Sequence, residues 1–395
     1  MFVIRTIVSI LIKNQLNESI IPKMTINQTK FYELWLNNIP GIGGATSKLL
    51  ISHIGSAEEV YKSKPSSLKK VLGIGENTVH SIQQSKKYLS KIENEVRKIE
   101  KGDVRVLTYT DEDFPKRMKL QKDAPYLIYV KGKAKGLHAA KTVGIVGSRS
   151  ANQYGKGVTA ELVRELSQFK DINIISGLAY GIDIQAHKSS LDNKVGTIGV
   201  LANGLNKVYP SIHSKVAHEM VNEHNSGLIS ENLMDSEPDG PKFPARNRII
   251  AALSDVLVVV QGMKKGGALI TADIANSYHK EVFAVPGKID DPLSEGCNNL
   301  IKYQKARILT NTNDIIKMMN WDIQPVKSKQ TILFSENDLS KDEIVIVNLI
   351  KEHDYHIEEL AIQLQTPIPK LSGRLLQLEL KGIIKLKPGN IYGLK

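Results

Sequence analysis

Hydrophobic and polar positions divide the chain into three stretches with different periods. From about Thr25 to Lys101 the apolar residues recur at helical spacing, with Phe31, Leu34, Trp35 and Ile39 on one stripe. Two glycine hairpins, Ile39-Pro40-Gly41-Ile42-Gly43 and Val71-Leu72-Gly73-Ile74-Gly75, interrupt this pattern, and each leads into an amphipathic helix, at residues 45–54 and 77–89. Beyond Val104 the period shortens to β-rich runs at 142–146, 172–176, 196–201, 228–230, 256–260 and 282–285. Helical stretches such as 158–169 and 268–278 lie between them, and this alternation predicts a mostly parallel sheet covered by helices on both faces. After a polar linker containing Pro325, residues 341–395 form a third region. Ile344, Val347, Leu349 and Ile350 mark one helix there. Ile357, Leu360 and Leu364 mark a second, and Leu371, Leu375, Leu376 and Leu378 a third. Lys387-Pro388-Gly389-Asn390 then parts two short strands, at 383–386 and 391–394.

The fold class expected is α/β: an extended Rossmann-like, doubly wound, mostly parallel sheet between two small helical modules. The predicted boundaries are an extension at 1–23, a helical domain at 24–101, the α/β domain at 102–322, a linker at 323–340 and a terminal domain at 341–395. Paired hydrophobic-Gly-hydrophobic-Gly turns between helices resemble helix-hairpin-helix modules. There glycine reaches φ > 0 and the following helix offers free amides to a phosphate, although such turns also serve simply to cap helices. Three helices and a terminal hairpin resemble a winged helix, a module that meets either DNA or protein.

Composition narrows the partners. Of 395 residues, 41% are hydrophobic and 24% charged, which suits a folded chain of two or three domains. The 53 Lys+Arg against 41 Asp+Glu leave +12, a balance that favours polyanions. Between Lys62 and Lys101 ten basic residues face four acidic ones, and the terminal domain is lopsided: residues 338–369 carry two basic and seven acidic groups, residues 370–395 six and one. A single cysteine, Cys297, excludes a disulfide-built fold, and no Cys/His cluster has zinc spacing. No apolar run reaches the roughly 18 residues needed to span a bilayer. Phe2 to Ile12 is apolar apart from Arg5, Thr6 and Ser9, but the Lys13-Asn14-Gln15-Leu16-Asn17 that follows lacks a cleavage site. The expectation is a cytoplasmic chain in which residues 1–23 are either a disordered extension or lie upstream of a true start at Met24.

The central loops carry the chemistry, because ligands on such sheets bind beyond the carboxyl ends of the strands. The first exit, Val143-Gly144-Ile145-Val146-Gly147-Ser148-Arg149, lacks the third glycine of a dinucleotide fingerprint, and the second strand ends in Ser176-Gly177 with no acid to hold a ribose. A dehydrogenase is disfavoured; a hydroxyl and a guanidinium at a tight turn suit phosphate. Asp183 and His187 stand at i, i+4, but without a third ligand they read as a capping carboxylate and a structural histidine. Lys242-Phe243-Pro244-Ala245-Arg246-Asn247-Arg248 combines an aromatic with cations, as single-stranded nucleic acid requires. Glycines at successive exits, Gly177, Gly204 and Gly267 among them, let phosphates approach backbone.

Taken in order, Val-Gly-Ser-Arg, Ser-Gly-Leu-Ala-x-Gly-Ile-Asp-x-x-Ala-His, Phe-Pro-x-Arg-Asn-Arg-Ile-Ile and Leu-Ile-Thr-Ala…Val-Pro-Gly resemble the DprA/Smf family. Tyr109…Asp113-Phe114-Pro115 and Gly296-Cys297-Asn298-Asn299-Leu300-Ile301 resemble its flanking segments. The resemblance covers Thr25 to Lys395. It implies a homodimer that binds single-stranded DNA, protects incoming DNA and loads the RecA recombinase during transformation or recombination, with no catalysis, cofactor, metal or membrane. Carried over by position, Ser148 and Arg149 hold a phosphate, Lys242, Arg246 and Arg248 add charge, Phe243 stacks on a base, and Lys207 is a weaker contact. Gln261 where the family often has Glu, Gly266-Gly267-Ala268 for Ser-Gly-Ser, and His213 for Asn are departures that bear on pocket geometry. The alternative is a nucleotide-processing enzyme, such as a nucleoside monophosphate hydrolase, with Asp183, His187 and Glu231 as acid–base groups.

Overall fold

Nine strands form one sheet in the order β1-β2-β6-β5-β4-β3-β7-β8-β9. They are β1 Val104–Thr108, β2 Leu127–Lys131, β3 Lys141–Val146, β4 Ile172–Ser176, β5 Gly196–Val200, β6 Gly227–Ser230, β7 Val256–Val259, β8 Glu281–Ala284 and β9 Arg307–Ile308. The computed structural model describes residues 26–321 and 339–394, apart from 353, 365 and 388. The extension at 1–23 and nearly all of the 323–340 linker lie outside the described residues.

From β3 to β6, and from β3 through β7 and β8 to β9, neighbouring strands are parallel. The chain winds one way from β3 through β4, β5 and β6, then returns to the other side for β7, so the switch point lies between β3 and β7. Both faces are apolar because both are covered: Ile174 and Val258 pack into one cluster with Val163 and Leu166, while Ile175 and Val259 pack into another with Ile249 and Ile250. The six runs read from the sequence match β3 to β8 to within one residue at each end. The hairpin β1–β2, joined antiparallel to β6, was not among them.

The helical segment and the sheet share a core. Leu34, Trp35, Leu50, Ile82 and Ile99 pack in one cluster with Tyr126, Tyr129, Leu228 and Met234. Glu33 is buried at this junction, where its Oε1 accepts from Tyr126 Oη at 2.7 Å and Thr110 Oγ1 at 3.1 Å. The two glycine hairpins have one geometry: Gly41 and Gly73 sit at φ +82° and +91°, and the Ile42 and Ile74 amides each close a turn at 3.0 Å. Their surroundings differ. A Cβ on Gly44 would lie 2.9 Å from the Ala124 carbonyl oxygen, so the first hairpin is packed on the sheet domain, whereas Leu72 at the tip of the second is 89% exposed.

The terminal unit has helices Lys341–Glu352, Ile357–Gln363 and Ile368–Leu380 and a three-stranded sheet, β10 (Tyr355–His356), β11 (Ile384–Lys387) and β12 (Ile391–Leu394), in the order β10-β12-β11. This is a winged helix around Ile346, Leu360, Leu371 and Leu375. The β11–β12 turn passes through Gly389 and Asn390, both at positive φ.

Candidate nucleic-acid interface

Beyond the carboxyl ends of β3 and β7 lies a crevice of about 270 Å³, lined among others by Ser148, Arg149, Asp183, Phe243, Lys265 and Gly267. It occupies the switch point, where a doubly wound sheet leaves space because its helices depart to opposite faces. The β3 exit folds onto the β4 exit: Ile182 N donates to Ser148 O at 3.2 Å, and a Cβ on Gly181 (φ +75°) would lie 2.1 Å from that oxygen. The loop thereby turns Arg149 outward. Its guanidinium carbon stands 5.0 Å from the Phe243 ring centroid, and among the described residues it has no carboxylate partner. Phe243 in turn meets Tyr209, ring centroids 6.0 Å apart and tilted by 54°.

The opposite wall is the start of helix Gly267–Ser277. Its cap residue Gly266 offers no side chain and its first turn holds no acid, so the first amides and the positive end of the helix dipole face the crevice. Lys265, exposed and without an ion-pair partner among the described residues, stands beside it. A guanidinium, an ammonium, a hydroxyl and uncapped amides around one space suit phosphate oxygens, and the flanking aromatic faces suit bases.

Behind the wall the charges are of a different kind. Arg246 is buried, and its Nη1 donates to the Gly177 and Val200 carbonyls, tying the ends of β4 and β5 together. Burial lowers its guanidinium to about 10. Asp183 Oδ2 accepts from Gly177 N at 3.2 Å and Ala179 N at 3.4 Å, and burial, opposed by Arg246, holds its carboxyl above the usual range. His187 is fully buried with Nδ1 2.7 Å from Thr197 Oγ1, and burial pushes it down to about 3.

The ten positions singled out from the sequence therefore separate. Ser148, Arg149, Phe243, Arg246 and Gly267 line the crevice. Gly177 is buried against the Arg246 guanidinium. Arg248 emerges on another side of its helix, where it pairs with Glu231 and donates to Asp123 O at 2.6 Å. Lys207 pairs with Glu237, and Lys242 is bound to Ser236 Oγ at 2.8 Å and Glu237 O at 2.7 Å. Gly204 lies under the Leu233–Met234 backbone. Lys265, Asn247 and the exposed rings of Tyr180 and Tyr209 were not on that list; the Lys264-Lys265 pair before Gly266-Gly267 was the available signal. The acid–base trio is not assembled: Asp183 borders the crevice, His187 is enclosed, and Glu231 is spent on Arg248. Among the described residues no His/Cys/Asp/Glu group could hold a metal, and no helix is long and apolar enough to cross a membrane.

The sheet domain, residues 105–320, matches the family described as DNA recombination-mediator protein A. This chain belongs to the DprA/Smf family. Residues 34–85 match a SAM-like helix-hairpin-helix tandem and residues 334–390 the DprA winged helix domain. Protein Smf of Synechocystis sp. is 29% identical, over 93% of this chain and 99% of its own length. The crystal structure of DNA processing protein A from Streptococcus pneumoniae superposes with a TM-score of 0.61 at 28% identity, covering 74% of this chain and 98% of that one. The corresponding Helicobacter pylori protein, whose structure concerns its unique single-stranded DNA binding mode, gives 0.50 at 32% identity over 55% of this chain and 96% of its own.

Proposed function

We propose that this DprA/Smf protein binds single-stranded DNA in the switch-point crevice, protects it, and delivers it to the RecA recombinase, acting as a cytoplasmic homodimer that leaves the strand chemically unchanged. One observation carries the reading: the Arg149 guanidinium, with no carboxylate partner among the described residues, lies over Phe243 beside the uncapped start of helix Gly267–Ser277. A phosphate there meets Arg149, the Ser148 hydroxyl and backbone amides, while the adjoining base lies on the outer face of Phe243 or Tyr209. The two rings are too close and too tilted to admit a base between them. Neither contact depends on base identity, so binding is sequence-tolerant and salt-sensitive. The single-stranded DNA binding named for the H. pylori relative, together with family membership, supports the ligand and the mediator role.

The test is fluorescence anisotropy with a labelled oligo-dT across a salt series. Affinity is expected to fall steeply with salt, and Arg149→Ala to weaken binding of every sequence alike. Equal binding by wild type and Arg149→Ala refutes the site. RecA strand exchange on DNA coated by single-strand-binding protein, with and without this chain, tests delivery. Light scattering of the purified chain tests the dimer.

A further inference from the structure

Tyr209 stands on an irregular loop and Phe243 in the first turn of helix Lys242–Leu253, and the loops leading to both are bonded to a helix that lies outside the crevice. Tyr209 ends the loop after β5, and Phe243 follows the loop after β6. The loops are zipped together: Ser230 Oγ donates to Asn203 O at 2.6 Å, Asn232 Nδ2 to Ala202 O at 3.1 Å, Gly204 N to Ser236 O at 2.8 Å and Asn206 N to Met234 O at 3.1 Å. The approach at Gly204 is so close that a Cβ would stand 2.0 Å from Leu233 O. Lys242, one residue before Phe243, is tied back to Ser236 and Glu237.

This zipped pair is fastened at Met234. Its side chain is fully buried in the core shared with the helical segment, and its amide donates at 2.7 Å to Oε1 of Glu95, a buried carboxylate on helix Leu89–Lys101. One residue on, Asp235 accepts from Lys98 of the same helix at 2.6 Å and from Asn206 Nδ2. Glu95 and Lys98 are i, i+3 and so share a helix face. A carboxylate kept out of water is costly unless it is hydrogen-bonded, so Glu95 favours the loop position in which the Met234 amide reaches it.

We infer that Glu95, seconded by Lys98, is a positioning residue for DNA binding: through Met234 and Asp235 it sets where Tyr209 and Phe243 stand at the crevice. The N-terminal helical segment thus contributes to the central site without touching the strand. The inference rests on the proposed DNA site, and its test separates the two.

The experiment measures full-length variants, at a temperature where circular dichroism shows each folded, for affinity to oligo-dT, for the salt dependence of that affinity, and for quenching of a 2-aminopurine in the oligonucleotide. Glu95→Leu is expected to lose roughly tenfold in affinity, the scale of one buried charged hydrogen bond. Its salt slope should be unchanged, because no phosphate contact is lost, and the 2-aminopurine quench should be reduced, because the rings have moved. Glu95→Gln keeps the Oε1 acceptor and should recover most of both. Lys98→Ala, at a partly exposed pair that the fold tolerates losing, should show the same signature at about two- to threefold. A Glu95→Leu or Lys98→Ala protein with wild-type affinity and quench, while Phe243→Ala loses both, overturns the inference and leaves the DNA site standing. Wild-type binding by Phe243→Ala as well overturns both.

Discussion

The switch-point crevice and the winged helix both carry Lys and Arg, but they differ in how much of that charge is already paired within the fold. In the winged helix, Arg374 pairs with Asp342, Lys381 with Glu343 at 2.7 Å and Lys387 with Asp354, so half of the six basic residues after residue 369 are matched by the acidic half of the same domain. In the crevice Arg149 and Lys265 face solvent with no carboxylate partner among the described residues, and the acid that does lie near, Asp183, is folded back onto backbone amides. Counterion release rewards a cation for what it gives to phosphate, and a cation already neutralised by its own fold gives little. A run of basic residues is a count, whereas a binding surface is what remains after internal pairing.

The sharpest way to break this contrast is to remove a cation that belongs to neither class. Arg246 lies in the crevice wall but serves the protein: it bonds two strand-end carbonyls and stands next to buried Asp183. Arg246→Ala leaves those carbonyls unmet and the carboxylate without its nearest cation, an expected loss of about 3–5 kcal/mol in folding stability. Chemical denaturation measures it. A variant with full stability and weakened DNA binding would instead put Arg246 among the phosphate ligands.

Next in size are the crevice residues. Phe243→Ala is expected to cost about 1–3 kcal/mol of oligo-dT affinity for each base that stacks there. Arg149→Ala is expected to lose affinity uniformly across sequences and to lower the salt slope by about one. Charge reversal at the other surface, Arg374→Glu, should leave both affinity and slope near wild type, because that guanidinium is already committed to Asp342. Loss of DNA affinity in Arg374→Glu would move the interface to the winged helix.

How much of this was legible beforehand follows from what is local. The parallel strands β3 to β8 were visible because each is a short apolar run bounded by turn residues, buried on both faces. The β1–β2 hairpin escaped because it joins the sheet only where β2 pairs with β6, some hundred positions along the chain. Ser148, Arg149 and Phe243 could be named because their residue types suit phosphate and base. Arg246 and Arg248 look alike in the sequence, but two positions on a helix differ by about 200°. One guanidinium therefore turns toward strand-end carbonyls and the other toward Glu231. The pairs that match half of the winged helix's late basic residues join positions 32, 38 and 33 apart, beyond the reach of any local charge count.

The interior behind the crevice carries its own response to acid. Burial, with help from Arg246 and His213, lowers His187 from 6.5 to about 3, so between those values the unfolded chain takes up a proton that the folded chain refuses. Stability contributed by the neutral imidazole is therefore whole above about pH 6.5 and falls by about 1.4 kcal/mol per pH unit on the way down. Asp183 acts with the opposite sign, since its raised carboxyl favours the folded state as pH drops through the carboxylate range. Comparing urea midpoints of wild type and His187→Asn at pH 7.5 and 5.5 isolates the histidine: the wild type should lose more on acidification. Equal losses would mean that His187 is charged inside the fold.

The smallest effect is the one that defines the winged-helix side of the contrast. The Arg374–Asp342 pair is partly exposed, and its partner carboxylate is open to water, so its Coulomb gain is screened and offset by the ordering of two side chains. Arg374→Ala should cost only about 0.2–1 kcal/mol of folding stability, and raising salt should shrink even that. Its informative consequence is electrostatic. Freeing Asp342 makes the domain more acidic, so if the winged helix does approach the strand, Arg374→Ala lowers DNA affinity at low salt, whereas Asp342→Ala, which frees Arg374, raises it. Unchanged affinity in both removes this face of the winged helix from the DNA interface, because a cation released within reach of a phosphate backbone registers at low ionic strength.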